Sequence, residues 1–232
     1  MTNILCIIPA RCGSKGIKHK NIKLFNGKPL LAWSIIQAQQ SSYDMRIIVS
    51  TDSEEYAAIA KQYGAEVPFL RPTNISQDFS TDFECIEHAV TWLYVNEKYT
   101  SDIILQLRPT QPLRKIKDIN TCLKLFIKNR FIHDSLRTVV PFSKSPYKMY
   151  SVKNNVLVPL FKKINNMHEP YNQCRQSLPE TYLHNGYIDI FNTYIIKTGT
   201  ISGDKILPFI MKQTDTIDID SIKDWNHALT HV

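Results

Sequence analysis

The residues best suited to chemistry lie near the start of the chain. An apolar run over residues 4–8 breaks into Pro9-Ala10-Arg11-Cys12-Gly13-Ser14-Lys15-Gly16-Ile17, followed by Lys18-His19-Lys20-Asn21. Small residues and cations directly after a buried strand suit a polyphosphate. Gly13 and Gly16 let backbone N–H groups approach phosphate oxygens without a Cβ in the way, and concave runs of such groups bind anions. Arg11 adds a planar fork, while Lys15 and Lys20 add point charges. The spacing matches neither a Walker A loop nor the G-x-G-x-x-G dinucleotide fingerprint. Cys12 sits among these cations, either as a thiol made reactive by a lowered pKa or as a small residue filling the turn.

Two further constellations carry chemistry. Residues 102–107 read as a continuous apolar strand that ends in Arg108-Pro109-Thr110-Gln111-Pro112-Leu113-Arg114. Ligands of open α/β sheets bind at the carboxyl ends of strands, so this turn is expected to share a crevice with the Arg11 loop. A proline-stiffened connection with solvated arginines is the plainer alternative. Near the far end of the chain, Ile217-Asp218-Ile219-Asp220 precedes Ser221. Strand alternation places Asp218 and Asp220 on one face. Two such carboxylates suit Mg²⁺, which keeps several waters and completes its shell with phosphate oxygens. A solvated acidic turn before Ser221 as helix N-cap is the alternative there. Asp52, in Thr51-Asp52-Ser53, is read as a helix cap in preference to a site residue. The histidines have no metal-ligand spacing and are assigned no chemistry.

The elements that must position these groups alternate. Strands are expected over residues 3–8, 45–50, 66–69, 102–107, 136–142 and 186–191. Helices are expected over 30–40, where Leu31, Ile35 and Ala38 fall at helical spacing with Pro29 just ahead as an N1-type starter. Others are expected over 53–63 with Ser53 as N-cap, and over 81–96 and 116–128, with a last helix from Ser221. Short connections and doubly buried strands imply an α/β fold: a mostly parallel sheet with helices on both faces. Residues 143–185 have weak periodicity and many Pro, Asn and Gln, with a hairpin-like turn at Asn154-Asn155. They read as an inserted arm on a single domain spanning 1–232.

At 232 residues, with 43% hydrophobic and 21% charged residues, the composition is that of a globular protein. No apolar stretch is long enough to span a bilayer, and the start of the chain shows no signal-type leader, so a cytoplasmic location is expected. Five scattered cysteines without a C-x-x-C pair favour free thiols. Lysine and arginine exceed the acids by 28 − 21, a net charge of +7. The cations are dispersed and do not interleave with aromatics, which favours small anionic partners over nucleic acid.

The string IIPARCGSKGIKHKNI resembles the N-terminal signature P-A-R-x-G-S-K-x-(I/L)-x-x-K-N of the cytidylyltransferases that activate acidic keto-sugars. These are the CMP-N-acetylneuraminate synthetases and relatives acting on legionaminic, pseudaminic and 3-deoxy-octulosonic acids. LRPTQPLR is similar to their L-Q-P-T-S-P-L-R motif, departing at Arg108 where glutamine is usual. IDIDSIKDW resembles their D-I-D-x-x-x-D-(W/F) metal motif, and residues 175–186 resemble R-Q-x-L-P-x-x-Y-x-x-N-G. The resemblance runs from residue 3 to residue 225.

It implies a Rossmann-like nucleotidyltransferase sheet with a small dimerisation arm, CTP and an acidic keto-sugar as substrates, Mg²⁺ as cofactor, and a homodimer without nucleic-acid or membrane partners. Carried over by position, Arg11, Lys15, Lys20, Asp218 and Asp220 are catalytic, and the two aspartates hold the metal. Asp224 caps or anchors the last helix. Pro9, Ala10, Arg11, Gly13, Ser14, Lys20, Asn21, Arg71 and Ser80 bind the nucleotide, with Ser80 alternatively a helix cap. Arg108, Gln111, Arg175, Gln176, Tyr182 and Asn185 contribute to the sugar pocket, where an arginine suits a carboxylate and amide or phenol groups suit hydroxyls. The other readings are a nucleotidyltransferase for another sugar acid or a sugar phosphate, and a non-catalytic nucleotide-binding module.

Overall fold

The strand β1 (Ile4–Pro9) is buried along nearly its whole length because both faces of its sheet are covered. Side-chain alternation divides it between two cores. Ile4, Cys6 and Ile8 join one cluster, and Leu5 and Ile7 join the other. The computed structural model describes residues 2–232, with Met1 outside that range. Five more strands complete the sheet: β2 (Arg46–Ser50), β3 (Ile103–Gln106), β4 (Ser135–Pro141), β5 (Tyr182–Asn192) and β6 (Ile206–Ile210). Their order is β6-β4-β5-β3-β1-β2. The pairs β1/β2, β1/β3 and β4/β6 are parallel, whereas β5 runs antiparallel to both β3 and β4.

Helices cover both faces, as expected. On one side, α1 (Leu30–Gln39), α2 (Glu54–Gln62) and α4 (Ile116–Asn129) supply Leu31, Ile35, Tyr56, Ala60, Leu123 and Phe126 to the larger core. On the other, α3 (Asp82–Glu97) supplies Ile86, Ala89 and Leu93. The last helix, α5 (Ile222–Leu229), packs Trp225 and Ala228 into a small third cluster with Ile17, Phe25, Leu30 and Ile219. Ser53, Thr81 and Ser221 cap their helices by accepting from backbone N–H groups of the first turn, and Asp224 closes a capping box with Ser221. None of the helices among the described residues is long and apolar enough to cross a membrane.

Several expectations need correction. Pro29 is the N-cap of α1, one position before its first turn. Residues 66–69 form no strand, and Glu66 alone bridges Ile48. β5 begins at Tyr182 instead of 186, because residues 182–184 pair with β4 before a bulge that ends at Asp189. β6 was not anticipated; its Pro208 is tolerated because the strand lies at the edge of the sheet. Within 143–185, Tyr150–Lys153 pairs with Val156–Pro159, and Lys163–Ile164 pairs with Met167–His168. Neither hairpin joins the main sheet. Asn154 and Asn155 both take left-handed φ, 49° and 65°, which turns the first hairpin.

Leu123→Ala, at a fully buried position of α4, is expected to lower stability by about 2–5 kcal/mol. Equilibrium urea unfolding should show a reduced midpoint with an unchanged slope.

Candidate functional site

The chain leaves β1 into a loop fastened at four points. Buried Ala10 donates its N–H to the Ser50 carbonyl at 2.9 Å. Asp52 accepts the Cys12 backbone N–H at 2.8 Å and the Cys12 thiol at 3.2 Å. Asn21 Nδ2 donates to the Arg11 carbonyl at 2.9 Å. Lys20, largely buried, donates from Nζ to the Ile219 carbonyl at 2.8 Å and pairs with Asp220 at 2.9 Å. Asp52 is therefore a loop fastener, and the cap of α2 is Ser53.

The two glycines differ. A Cβ on Gly16 would lie 2.2 Å from the Asp220 carbonyl oxygen, so close approach of the C-terminal segment demands glycine there. Gly13 is exposed with open space around it, and the nearest atom to such a Cβ is the Arg11 guanidinium at 3.8 Å.

A cleft of about 360 Å³ opens where this loop faces α3 and the end of β3. Pro9, Arg11, Ser14, Lys15, Lys20 and Asn21 line it from the loop, and Arg71, Ser80, Thr81 and Asp82 from the opposite side. Arg108, Thr110 and Asp220 close its remaining wall. Arg71 is buried and held by Ser50, with Nε 3.1 Å from the hydroxyl and Nη2 2.5 Å from the carbonyl. Ser80 does not cap α3; its hydroxyl accepts the Gln77 N–H at 2.8 Å, and Thr81 is the cap. Ala10 and Gly13 are not on the cleft wall.

Carboxylates accompany the cations. Asp78 meets Arg11 at 3.1 Å and Lys15 at 2.5 Å, and hydrogen bonds from these two hold its carboxyl below the usual range. Arg108 bridges Asp82, at 2.5 Å, and Asp189. Asp189 is fully buried and also pairs with Arg137 at 2.8 Å and His184 at 2.7 Å. Burial alone would raise its pKa, but the hydrogen bond from His184 and the two arginines hold it well below the usual carboxylate range. Sequence reasoning missed Asp78, Asp82 and Asp189. A signal for Asp189 was present, since a lone acid in an apolar strand needs buried partners.

The residues assigned to the sugar are dispersed. Among them only Arg108 lines the cleft. Gln111 is buried and donates to the Asn185 carbonyl at 2.9 Å. The Asn185 side chain accepts from Thr138 at 2.7 Å. Arg175, Gln176 and Tyr182 line a separate groove at the base of the 143–185 segment, beside Pro141 and Phe142.

Asp220 reaches the cleft, and Asp218 sits beside it, outside the wall. Solvent still reaches Asp218, yet the surrounding protein pushes its carboxyl up. A hydrogen bond with Thr110 works against this, and the Asp220 charge adds to it. Among the described residues no group of three or more His, Cys, Asp or Glu forms a metal cage. A carboxylate pair at the edge of a phosphate-sized cleft nevertheless fits Mg²⁺, which needs one or two protein carboxylates with water and phosphate oxygens beside them.

A parallel β1/β2/β3 core with a basic loop and an acid at the carboxyl ends of its strands defines a nucleotide-binding α/β protein. A sequence model described as Cytidylyltransferase matches residues 5–187. The chain is 35% identical over 227 residues to post-translational flagellin modification protein B of Campylobacter coli, covering 97% of this chain and 93% of that one. It is 36% identical over 235 residues to the CMP-N,N'-diacetyllegionaminic acid synthase of Legionella pneumophila, covering 98% and 94%. A solved CMP:2-keto-3-deoxy-manno-octonic acid synthetase complexed with CTP shares the fold, with a TM-score of 0.70 at 15% identity over 99% of this chain and 98% of that one. This chain belongs to the cytidylyltransferase family.

The surroundings of Cys12 oppose a reactive thiol. Partial burial and the hydrogen bond to Asp52 push its pKa up, and the charge of Asp52 adds to this. Alkylation of Cys12 near neutral pH should therefore be slow, with a pH–rate midpoint above that of an unperturbed thiol. Asp52→Asn should move that midpoint down, as read by peptide mass spectrometry that separates Cys12 from the exposed Cys174.

Gly16→Ala should destabilise the fold by about 1–3 kcal/mol as the backbone moves away from the new methyl. It should also weaken nucleotide binding, measured by calorimetric titration with CTP.

Proposed function

We propose that this protein transfers CMP from CTP to a nine-carbon 2-keto-3-deoxy sugar acid of the sialic, legionaminic or pseudaminic type, releasing pyrophosphate. The observation that carries this reading is the single cleft in which Arg11, Lys15, Lys20, Arg71 and Arg108 face Asp220. Such a wall suits two anionic substrates, and the similarity to a legionaminic acid synthase supports the sugar class.

In this reading the anomeric hydroxyl attacks the α-phosphorus and gives up its proton to solvent. A new P–O bond forms to the sugar, the bond to the bridging oxygen breaks, and pyrophosphate leaves with that electron pair. Arg11, Lys15, Ser14 and the loop N–H groups hold the outgoing phosphates and neutralise charge as it builds. Lys20 and Asn21 keep the loop in register, and Arg71 and Ser80 hold the nucleotide from the opposite wall. Arg108 receives the sugar carboxylate, backed by Gln111 and Asn185. A divalent cation held by Asp218 and Asp220 supplies Lewis-acid stabilisation of the phosphates when bound, and Mg²⁺ is the ion that suits this donor set.

Residues 143–185 act as an arm on one domain. Its first hairpin exposes Val152, Val156 and Leu157, with Leu160 exposed just beyond it, apolar surface that suits a homodimer contact. Arg175, Gln176 and Tyr182 then serve a sugar pocket completed by dimerisation. The reaction takes place in the cytoplasm, where CTP is made.

The test is pyrophosphate release with CTP and Mg²⁺ across N-acetylneuraminate, legionaminate, pseudaminate and 3-deoxy-octulosonate. One sugar should support turnover, and Asp220→Ala should slow it by roughly a hundredfold or more. No release with any of the four, while CTP still binds, would overturn the proposed catalysis.

A further inference from the structure

The two cations nearest the tip of the phosphate-type loop already share an anion supplied by the protein itself. Asp78 presents Oδ1 to Arg11 Nη1 at 3.1 Å and Oδ2 to Lys15 Nζ at 2.5 Å. One carboxylate thus spans both groups, as two oxygens of a phosphate would.

The other acids around the cleft are fixed by the fold: Asp82, whose side chain is as exposed as that of Asp78, pairs with Arg108 from the first turn of α3. Asp220 pairs with Lys20, but Lys20 also donates to the Ile219 carbonyl, and this ties two segments of the fold together. Asp189, behind Arg108, is fully buried. Asp78 instead lies on the short turn over residues 77–80, closed by the Gln77 N–H to Ser80 hydroxyl bond. The neighbouring Phe79 is 96% exposed, so no apolar anchor holds the turn down. Ion pairs at such positions are weak and readily exchanged.

We propose that Asp78 is a placeholder anion that occupies the polyphosphate-binding groups of Arg11 and Lys15 and limits the affinity of the cleft for polyphosphates. This rests on the nucleotide reading above. An incoming triphosphate carries more charge and more oxygens than one carboxylate and displaces it. When pyrophosphate is the ligand remaining, Asp78 competes for the same two side chains and speeds its departure. Without this competitor, unpaired cations at the loop would retain the product.

The experiment compares wild type with Asp78→Asn in metal-free calorimetric titrations of pyrophosphate, CTP and CMP at low ionic strength. Removing the competitor should tighten pyrophosphate and CTP by roughly two- to tenfold, with the gain shrinking as salt is added. CMP, which has no β or γ phosphate, should be unchanged. In the variant, pyrophosphate should also become a correspondingly stronger inhibitor of turnover. A Phe79→Trp reporter should change its fluorescence on pyrophosphate addition as the turn is displaced.

Equal or weaker pyrophosphate binding by a folded Asp78→Asn protein would overturn the placeholder role, while wild-type CTP binding would leave the nucleotide reading standing. Failure of both proteins to bind CTP or pyrophosphate would instead overturn the nucleotide reading, and this proposal with it.

Discussion

The backbone of Gly16 lies against the carbonyl of Asp220, and Lys20 grips the same segment from within. The partners are 200 positions apart in sequence. The Ile219 N–H adds a third member by donating to the Thr110 carbonyl at 2.9 Å. The β1 loop, the turn after β3 and the segment before α5 are thus locked at one point. Beneath it, Ile17, Phe25, Leu30, Ile219 and Trp225 form the small core that makes the junction rigid. A loop of cations could otherwise fray into solvent. Here it is held against Asp220, which reaches the cleft from the far end of the chain.

Charge around that junction is arranged in two tiers. Arg114 is buried, and among the described residues its hydrogen-bond partners are neutral. It donates to the Tyr187 carbonyl at 2.6 Å, to Gln37 Oε1 at 2.6 Å and to the Arg108 carbonyl at 2.9 Å. Burial brings its pKa down to about 10, and neutral acceptors satisfy its donors. It therefore stiffens the turn that presents Arg108. Arg108 in turn leans on buried Asp189, which Arg137 and His184 also hold. The inner tier fixes geometry. The outer tier, with Asp78 on Arg11 and Lys15, is exposed enough to exchange partners.

Much of the frame was legible from residue patterns. The apolar run over residues 4–8 could only be a strand covered on both faces, and β1 is that strand. The spacing of Leu31, Ile35 and Ala38 gave α1 because one helical face had to be buried. Ser53 and Ser221 announced their helices through their preference for caps. Other elements left no such mark. β6 contains a proline and half-exposed residues, and its parallel pairing with β4 at the sheet edge makes it a strand. Asp52 looked like a cap because it adjoins a helix start, and only the fold shows it turned back onto Cys12.

For the site, the sequence by itself determined which side chains are available: a small-residue loop bearing cations after the first strand, an arginine-rich turn after another, and an alternating acid pair near the end. Those follow from local spacing and side-chain chemistry. Tertiary structure decided which of them meet. It brought Asp220 to Gly16 and Lys20, placed Asp78 on Arg11 and Lys15, and buried Gln111. It also set Arg175, Gln176 and Tyr182 in a separate groove. The reason is physical: an ion pair or a close backbone approach depends on distances that the packing of remote elements sets, and neither partner carries a local sign of the other.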